Sequence, residues 1–346
     1  MTIQPAPYWQ RPGVTLYAGD ATQVLTGLPD TSVDCIVTSP PYYGLRDYAT
    51  TGQYGLEPTP QQYVRNLVAV FAEARRVLRE TGTVWIVIGD SYASGETGRV
   101  DAASHYPSLA DTQPERRDRR HHTRTGLPAK NLLGIPWRLA IALQEDGWWL
   151  RSAAIWHKPN AMPESVRDRF AVTHEYVLLL TRAKNYHFDL DAIRVPHRSA
   201  GITPRPGQTR DKPPRQRTGK YRAGNPQLPH AHRYAGLNVG GRHTYGHPQG
   251  KNPGTVWSIA TRPTRHIHCA AYPIDIPLRA IAAGCPPAGT VLDPFHGSGT
   301  TGIAALSLHR TYVGIDLNSE YLDLSTTRLN HGDDTDDEGK EATDVD

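Results

Sequence analysis

Cysteine and long apolar runs are scarce in this chain. Its 346 residues include three cysteines, Cys35, Cys269 and Cys285, and these form no Cys-x-x-Cys pair. Such spacing argues against a disulfide framework and against a zinc site, and it is typical of a reducing compartment. No stretch of about 18 apolar residues could span a membrane, and no apolar export signal begins the sequence. We therefore expect a cytoplasmic protein with no membrane segment and no bound metal.

Hydrophobic residues are also few. They make up 38% of the chain, whereas proline and glycine occur 29 and 31 times. A chain of this length can bury a sizeable core, so the low hydrophobic content indicates long irregular segments beside a folded part. We expect either one large domain with an inserted lobe or two modest domains.

Charge is unevenly distributed, although the net charge is only +4. Residues 196–255 contain eleven lysines and arginines and a single acid, Asp211, with tyrosines interleaved. Such a block favours contact with nucleic-acid phosphates, and simple disorder is the alternative. Residues 91–128 hold a second basic run, which predicts either a mobile loop near nucleic acid or a surface insertion without a partner. Residues 331–346 hold eight acids, which predicts a solvated, disordered tail.

Short apolar runs alternate with segments of helical periodicity along most of the chain. This succession of strand, helix and strand predicts a parallel, doubly wound sheet, whose ligands bind at the carboxyl ends of the strands. Residues 1–13 are expected to be irregular, and residues 186–188 to form a hairpin with the strand before them. The predicted strands are 14–17, 33–37, 84–88, 148–156, 177–180, 256–259, 289–293 and 311–316, and the predicted helices are 21–28, 61–79, 135–144, 277–283 and 302–308.

A proline-rich turn follows the predicted strand 33–37. Residues 38–48 read TSPPYYGLRDY. The two prolines impose an extended, rigid backbone and leave carbonyl oxygens facing outward. The Ser39 hydroxyl, the Pro40 carbonyl and the Tyr42 ring would then suit a flat base that carries an exocyclic amine. A proline-containing loop without a ligand is the alternative interpretation of this turn alone.

A glycine-rich turn follows the predicted strand 289–293. Residues 293–301 read DPFHGSGTT, and the next strand ends at Asp316, about 20 residues after the glycines. The glycines allow a ligand to approach the backbone, and Asp316 would lie where a ribose diol binds. Nicotinamide-binding folds use the same arrangement of turn and carboxylate. This sequence, however, has no GxGxxG motif and no second mononucleotide-binding half, so a site for one nucleoside fits better than a site for two. Asp20, at the end of strand 14–17, could contact a ligand amine or cap the following helix.

Together these stretches resemble a known family. They are TSPPYYGLRDY at 38–48, GDSY at 89–92, WHKPNAMPESVRDR at 156–169 with HEYVLLL at 174–180, HCAAYP at 268–273, and DPFHGSGTT with GIDL at 293–301 and 314–317. The chain resembles amino-group DNA methyltransferases that use S-adenosylmethionine, of the circularly permuted beta type with a Ser-Pro-Pro-Tyr motif. The resemblance implies an α/β, Rossmann-like methyltransferase fold. Its mostly parallel twisted sheet would carry helices on both faces and an inserted, irregular, basic target-recognition region.

The resemblance also implies the site residues. Ser39, Pro40, Pro41 and Tyr42 would be catalytic and hold the target base, and Asp20 would approach the adenine amine of the cofactor rather than act only as a cap. The implied cofactor-binding residues are Asp20, Thr38, Ser39, His268, Pro273, Asp293, Pro294, Phe295, Gly297, Ser298, Gly299, Thr300, Asp316 and Leu317. The expected DNA-binding residues are Arg116, Arg117, Arg119, Arg120, Lys158, Arg205, Arg210, Arg215, Arg217, Lys220 and Arg222.

The expected organisation has four parts. Residues 14–195 would be the catalytic half of the methyltransferase domain, including the basic loop 91–128, and 196–255 the target-recognition insertion. Residues 256–330 would be the cofactor-binding half, and 331–346 the disordered tail. The expected partners are double-stranded DNA and a cognate restriction endonuclease, with the enzyme acting as a monomer or a dimer.

The expected reaction is methylation of cytosine N4 after the base leaves the duplex. In the family that the chain resembles, a leading serine in this motif accompanies cytosine N4 transfer, whereas Asp or Asn accompanies adenine N6 transfer. Methylation at adenine N6 is the first alternative, and a non-catalytic or RNA-directed nucleic-acid-binding protein is the second. Methylation at carbon 5 of cytosine is rejected, because Cys35 lies within a strand and neither Cys269 nor Cys285 has the Pro-Cys context of a nucleophile.

Overall fold

The computed structural model describes residues 5–93, 125–197, 247, 249–262 and 271–331. Within these residues the chain forms a mixed sheet of nine strands. The strands are β1 (Trp9–Arg11), β2 (Val14–Ala18), β3 (Val33–Thr38), β4 (Leu78–Ile88), β5 (Trp149–His157), β6 (His174–Thr181), β7 (Val256–Ser258), β8 (Thr290–Asp293) and β9 (Thr311–Asp316).

The sheet is mostly parallel. Its strand order is β1-β2-β9-β8-β3-β4-β6-β5-β7. The five central strands from β2 to β4 run in one direction, and β6 is antiparallel to both of its neighbours, β4 and β5. The carboxyl ends of β9, β8, β3 and β4 therefore meet at one edge of the sheet, where open α/β sheets bind their ligands. The predicted α/β fold with a mostly parallel sheet is confirmed.

Helices cover both faces of the sheet. They are α1 (Ala21–Gly27), α2 (Pro60–Val77), α3 (Ile135–Glu145), α4 (Asp275–Gly284), α5 (Thr300–Ser307) and α6 (Ser319–His331). Apolar side chains of α1, α2 and α3 pack in one core, and those of α4, α5 and α6 pack in another. In β3, Ile36 points to the first core while Cys35 and Val37 point to the second. From Cys35 to Val37 this strand is buried on both faces, which explains the apolar run at these residues.

Three sequence predictions of local structure were wrong. Residues 9–11, expected to be irregular, form β1 and pair with β2. Residues 186–188 form no strand, because β4 and β5 already occupy both edges of β6. The helix predicted over 61–79 ends at Val77 and β4 begins at Leu78. Residues 79–82 are accommodated by a register shift, since Val33 pairs with Leu78 but Cys35 pairs with Thr83.

The chain divides into two units. One contains Met1–Ile193 and Pro253–Asp346, and the other is Arg194–Asn252. In the described part of the second unit, Val195 and Lys251 form an antiparallel bridge, and the Arg194 guanidinium donates to the Gly250 carbonyl at 3.1 Å. Within the described residues, no helix has the length and apolar character needed to cross a membrane.

Candidate active site at the carboxyl ends of the parallel strands

A cavity opens at the carboxyl ends of β3, β8 and β9. Ser39 follows β3, Asp293 ends β8 and Asp316 ends β9, so three neighbouring strands each deliver a polar side chain to this cavity. The cavity is lined by Gly19, Ala21, Ser39, Pro41, Tyr48, Thr50, Gln53, Tyr54, Ala271, Tyr272, Asp293, Pro294, Phe295, His296, Gly297, Ser298, Thr300, Thr301, Asp316, Leu317, Asn318 and Tyr321.

Asp293 joins the two halves of the sequence at this cavity. Its carboxylate accepts from the Thr38 hydroxyl at 2.6 Å, from the Thr301 hydroxyl at 2.5 Å and from the Phe295 backbone N–H at 3.0 Å. The side chain is almost fully buried, and this burial raises the pKa of Asp293 to about 6 despite the hydrogen bonds. Thr38, which ends β3, therefore contacts Asp293 and does not itself line the cavity.

The glycine-rich turn after β8 depends on backbone conformations that favour glycine. Gly297 and Gly299 have φ angles of 54° and 85°. The Gly297 N–H donates to Asp316 Oδ2 at 2.7 Å, and the Asn318 N–H donates to Asp316 Oδ1 at 2.8 Å. Burial raises the pKa of Asp316 to about 6. The turn and the end of β9 thus hold one carboxylate at the cavity wall.

His296 supports this turn from inside the protein. Its Nδ1 lies 2.7 Å from the Tyr312 hydroxyl, and its Nε2 lies 2.7 Å from the Ser325 hydroxyl. Burial lowers the pKa of His296 to about 3, so the imidazole is neutral at neutral pH. His296 therefore fixes the turn to β9 and α6 without contributing charge.

The Ser-Pro-Pro-Tyr turn lies beside the cavity. Ser39 and Pro41 line it, and the Pro41 carbonyl is occupied by the Tyr63 hydroxyl at 2.8 Å. Pro40 is buried and does not line the cavity, so a contact between its carbonyl oxygen and a ligand stays a prediction. Tyr42 does not line the cavity, and its hydroxyl donates to Glu175 at 2.5 Å.

A loop that the sequence interpretation missed also borders the cavity. Tyr48, Thr50, Gln53 and Tyr54 line it, and the Tyr54 ring meets Phe295 edge to face at 5.4 Å. One usable signal was present in the sequence, since the tyrosines within GLRDYATTGQYG and the preceding Tyr43 are unusual for a solvent loop. Eight further lining residues were also missed, namely Gly19, Ala21, Ala271, Tyr272, His296, Thr301, Asn318 and Tyr321.

Asp20 has the capping role that the sequence interpretation had ranked second. Its carboxylate caps α1 by accepting from the Gln23 N–H at 3.0 Å and also accepts from the Tyr54 hydroxyl at 2.9 Å. Its neighbours Gly19 and Ala21 line the cavity, whereas Asp20 itself does not. Direct contact with a cofactor amine stays a prediction.

Lys158, which was expected to contact DNA phosphates, is paired with a carboxylate within the protein. Its ammonium group forms an ion pair with Glu175 and lies 4.5 Å from the centre of the Trp156 ring. The side chain is 21% exposed, and its ammonium group has three N–H donors, so a contact with the DNA phosphates stays a prediction.

The remaining predicted residues fall into two groups. Pro273 is buried at the start of α4 and Gly299 lies within the turn, and neither lines the cavity. The other group lies outside the described residues: His268, Arg116, Arg117, Arg119, Arg120, Arg205, Arg210, Arg215, Arg217, Lys220 and Arg222. In the described ranges, no three His, Cys, Asp or Glu side chains cluster as a metal site would require.

Comparison with known proteins identifies the family. The family described as DNA methylase (N6_N4_Mtase) matches residues 33–327. The Type II methyltransferase M.Cfr9I of Citrobacter freundii is 41% identical over 323 residues, covering 93% of this chain and 89% of that protein. The Type II methyltransferase M.SmaI of Serratia marcescens is 39% identical over 314 residues, covering 91% of this chain and 90% of that protein.

Solved structures share the fold. PvuII DNA methyltransferase (cytosine-N4-specific) matches with a TM-score of 0.59 at 16% identity, covering 94% of this chain and 90% of that one. A putative DNA modification methylase of Thermus thermophilus, TTHA0409, complexed with S-adenosyl-L-methionine, matches with a TM-score of 0.51 at 21% identity, covering 91% and 92%. The architecture is therefore that of a methyltransferase.

This chain belongs to the DNA methylase family. It is a DNA methyltransferase, and its methyl donor is S-adenosyl-L-methionine. The residues around the cavity fit this cofactor. In the described part of the chain, the carboxylates of Asp293 and Asp316 accept from hydroxyls and backbone amides and pair with no cation, so a cationic ligand with ribose hydroxyls complements them.

The raised pKa of Asp293 predicts a pH-dependent stability. The folded protein holds this proton more tightly than the unfolded chain does, so its contribution is present below about pH 4 and is lost as the pH rises to about 6. Between pH 4.5 and 7.5 we expect the free energy of unfolding of the cofactor-free protein to lose about 2 kcal/mol from this group. Urea unfolding at pH 4.5 and 7.5 measures it. Asp293→Asn should show a correspondingly smaller pH dependence, and an equal dependence in both proteins would contradict the assignment.

Gly89, in the GDSY stretch after β4, leaves room for the Tyr42 ring. A Cβ atom at position 89 would lie 2.8 Å from Tyr42 Cε2 and 3.5 Å from Glu175 Cγ. Gly89→Ala should therefore displace the ring and lower the methylation rate constant by about tenfold or more, because small displacements of positioning groups are costly. Single-turnover kinetics at saturating cofactor tests this, with thermal unfolding as the control for folding. A wild-type rate would show that the ring position does not matter.

Proposed function

We propose that this chain is a Type II DNA methyltransferase that methylates the exocyclic N4 amine of cytosine in double-stranded DNA. The observation that carries the proposal is the Ser39 hydroxyl at the end of β3, beside a cavity bounded by Asp293 and Asp316. Two relatives about 40% identical are named Type II methyltransferases, and a structural relative is named cytosine-N4-specific. These names support the finer assignment.

The chemical problem is that the cytosine amine is a weak nucleophile, because its lone pair is delocalised into the ring. The Ser39 oxygen and the Pro40 carbonyl oxygen are two acceptors for the two N–H groups of this amine. Accepting both hydrogen bonds would localise the lone pair on N4 and orient it for transfer. The bound cofactor supplies an already activated methyl group on a sulfonium centre.

No strong base is needed in this mechanism. After methylation, N4 carries an extra proton and a positive charge, and a nitrogen of this type is very acidic. Water can accept the proton, either directly or through Ser39, whose hydroxyl would release its own proton to water as it takes up the one from N4. The alternative product, N6-methyladenine, would use the same two acceptors, because adenine also presents an exocyclic amine and the matched family includes both reactions.

The target base must leave the duplex before it reaches Ser39, at a cost of roughly a few kcal/mol. The Tyr42 ring is the proposed stacking surface for the extruded base.

In the proposed organisation, residues 14–195 form the catalytic half and residues 256–330 form the cofactor-binding half. This is the permuted order, in which the catalytic half comes first in the sequence. The basic loop 91–128 belongs to the catalytic half, and residues 196–255 are the proposed target-recognition insertion. Residues 331–346 are the proposed disordered tail.

The residues that line the cavity have proposed roles in cofactor binding that follow from their chemistry. Asp316 would accept hydrogen bonds from the ribose hydroxyls, while Asp293 and the turn from Phe295 to Thr300 would face the methionine and sulfonium end. Duplex DNA is the proposed substrate, and a cognate restriction endonuclease is the proposed biological partner. The enzyme would act as a monomer or a dimer.

The test is product identification with purified protein. The chain is incubated with S-adenosyl-L-methionine and genomic DNA from a methylation-free host, and the DNA is digested to nucleosides for mass spectrometry. We expect N4-methylcytosine. N6-methyladenine would overturn the base assignment while retaining the enzyme class, and methylation of RNA alone would overturn DNA as the substrate.

A further inference from the structure

A tyrosine-bearing loop after the Ser-Pro-Pro-Tyr turn forms one wall of the cofactor cavity. This tyrosine loop spans residues 44–55, and its ends are joined because the Gly44 N–H donates to the Gly55 carbonyl at 2.7 Å. Inside it, the Gln53 side chain accepts from the Tyr48 N–H at 2.8 Å. These hydrogen bonds give an otherwise irregular loop a defined shape.

Three segments that are distant in sequence meet at Tyr54, within this loop. The Tyr54 hydroxyl donates to Asp20 Oδ2 at 2.9 Å and lies 3.2 Å from the Thr22 hydroxyl oxygen. Its ring meets Phe295 of the glycine-rich turn edge to face, with the ring centres 5.4 Å apart and an angle of 81° between the planes. Burial raises the pKa of Tyr54 to about 12, so the phenol keeps its proton at neutral pH. Because this single proton points to Asp20, Thr22 is left to donate to the phenol oxygen.

These bonds leave Asp20 outside the cavity. Its Oδ1 accepts from the Gln23 N–H at the start of α1, and its Oδ2 accepts from Tyr54. Gly19, Ala21 and Tyr54 line the cavity, whereas Asp20 does not. In the described part of the chain, Asp20 therefore reaches the cavity only through Tyr54, which presents its ring there.

The tyrosine loop also borders the place proposed for the cofactor ribose at Asp316. A Cβ atom at Gly52 would lie 4.0 Å from Cδ2 of Leu317, the residue after Asp316. The Tyr48 ring meets Tyr321 of α6 edge to face at 6.2 Å. In S-adenosyl-L-methionine the flat adenine ring is attached to the ribose, and flat bases stack favourably on aromatic side chains. The aromatic wall beside Asp316 thus complements the adenine end of the cofactor.

We propose that Tyr54 binds the adenine ring of the cofactor, and that Asp20 is a positioning residue that holds Tyr54 in place without contacting the cofactor itself. This inference rests on the proposed place of the ribose at Asp316 and is independent of which base is methylated. The family resemblance implied a different arrangement, in which Asp20 approaches the adenine amine. Here the adenine is recognised through its flat face rather than through a carboxylate on its amine.

The test is a double-mutant cycle on the affinity of the full chain for S-adenosyl-L-methionine, measured by isothermal titration calorimetry. Tyr54→Phe keeps the ring and removes the hydroxyl that holds it, so Kd should rise by about threefold to tenfold. Asp20→Ser keeps one side-chain oxygen to cap α1 but loses the acceptor for Tyr54, and it should raise Kd by the same factor. The combined variant should bind no more weakly than either single variant. A combined loss equal to the product of the two single losses would overturn the proposal.

A cofactor analogue separates the two roles that Asp20 could have. S-inosyl-L-homocysteine carries a carbonyl oxygen where S-adenosyl-L-homocysteine carries the amine. A site that hydrogen-bonds a group rejects the analogue that lacks it. We expect the ratio of the two Kd values to be the same in the wild type and in Asp20→Ser. A preference for the adenosyl compound that disappears in Asp20→Ser would assign Asp20 to the amine and contradict the proposal.

Tyr54→Ala tests the ring itself. It removes the aromatic surface and should raise the Kd for S-adenosyl-L-methionine by about tenfold or more, while the single-turnover rate constant at saturating cofactor stays near that of the wild type. Tyr186→Phe removes a hydroxyl that accepts from Arg151 at 3.2 Å, away from the cavity, and should keep the wild-type Kd. Thermal unfolding checks the folding of each variant, and the milder Tyr54→Phe decides the matter if Tyr54→Ala does not fold. A wild-type Kd in folded Tyr54→Ala would exclude Tyr54 from the cofactor site.

The outcomes separate this inference from the proposed function. If Asp316→Ala weakens cofactor binding while the Tyr54 variants do not, only the inference about Tyr54 fails. If Asp316→Ala also binds the cofactor normally, the proposed place of the ribose and this inference fail together. Neither result changes the identity of the methylated base, which the wild-type product determines.

Discussion

Ser39→Ala should lower the single-turnover rate constant for methylation by about 100- to 1,000-fold and change cofactor Kd by less than about twofold. Removing one preorganised hydrogen-bonding group at the reacting atom typically has an effect of this size. We expect the loss to concern the target amine, because Ser39 is proposed to accept from this amine while Asp293 and Asp316 are proposed to hold the cofactor, although all three residues line the cavity. Rapid-quench kinetics and isothermal titration calorimetry measure the two quantities.

The matched control is Ser307→Ala. This hydroxyl lies on α5 and, among the described residues, bonds only to the Ala304 carbonyl of its own helix, at 2.9 Å, so the variant should methylate at the wild-type rate. Equal losses of rate and of cofactor affinity in Ser39→Ala would contradict the assignment of Ser39 to the amine. That pattern would make Ser39 part of the cofactor site.

Asp316→Ala should weaken cofactor binding by about 100-fold, while the rate constant at saturating cofactor falls much less. Hydrogen bonds to a charged group contribute about 1.5–3 kcal/mol each, and the variant would lose those to the ribose. It would also release the Gly297 and Asn318 N–H groups that shape the turn. Calorimetric titration with S-adenosyl-L-methionine measures the effect.

Two further variants show whether a loss of cofactor affinity in Asp316→Ala comes from the carboxylate at this position. Asp316→Asn retains one oxygen acceptor and should lose less affinity than Asp316→Ala. Asp146→Ala removes the same charge from the exposed end of α3 and should bind the cofactor normally. Unchanged affinity in Asp316→Ala would mean that this carboxylate only shapes the turn.

The parts of the fold that were predictable from sequence are those that the local pattern determines. β3 and β9 are largely buried strands in which apolar residues predominate, and both were found at nearly the predicted residues. α6 was not predicted because its sequence is largely polar. Only a few of its side chains, such as Leu322 and Leu329, are buried in the core. β1 has just three residues, and its pairing with β2 is decided by tertiary contacts rather than by propensity.

The same distinction applies to the site. Ser39, Asp293 and Asp316 each end or follow a strand, so parallel topology alone brings them to one edge. Glu175 was not predictable, because it lies 133 positions from Tyr42 and reaches it only through the antiparallel placement of β6 beside β4. Tyr54 reaches the cavity through an irregular loop whose path no periodicity encodes.

The central claim is that Ser39 directs methyl transfer to cytosine N4. It is tested most directly by mass spectrometry of nucleosides from a methylation-free host that expresses either the wild-type chain or Ser39→Ala at equal protein levels. We predict N4-methylcytosine with the wild type and a loss of most of that mark with Ser39→Ala. N6-methyladenine in the wild-type sample, or an undiminished mark in the variant, would contradict the claim.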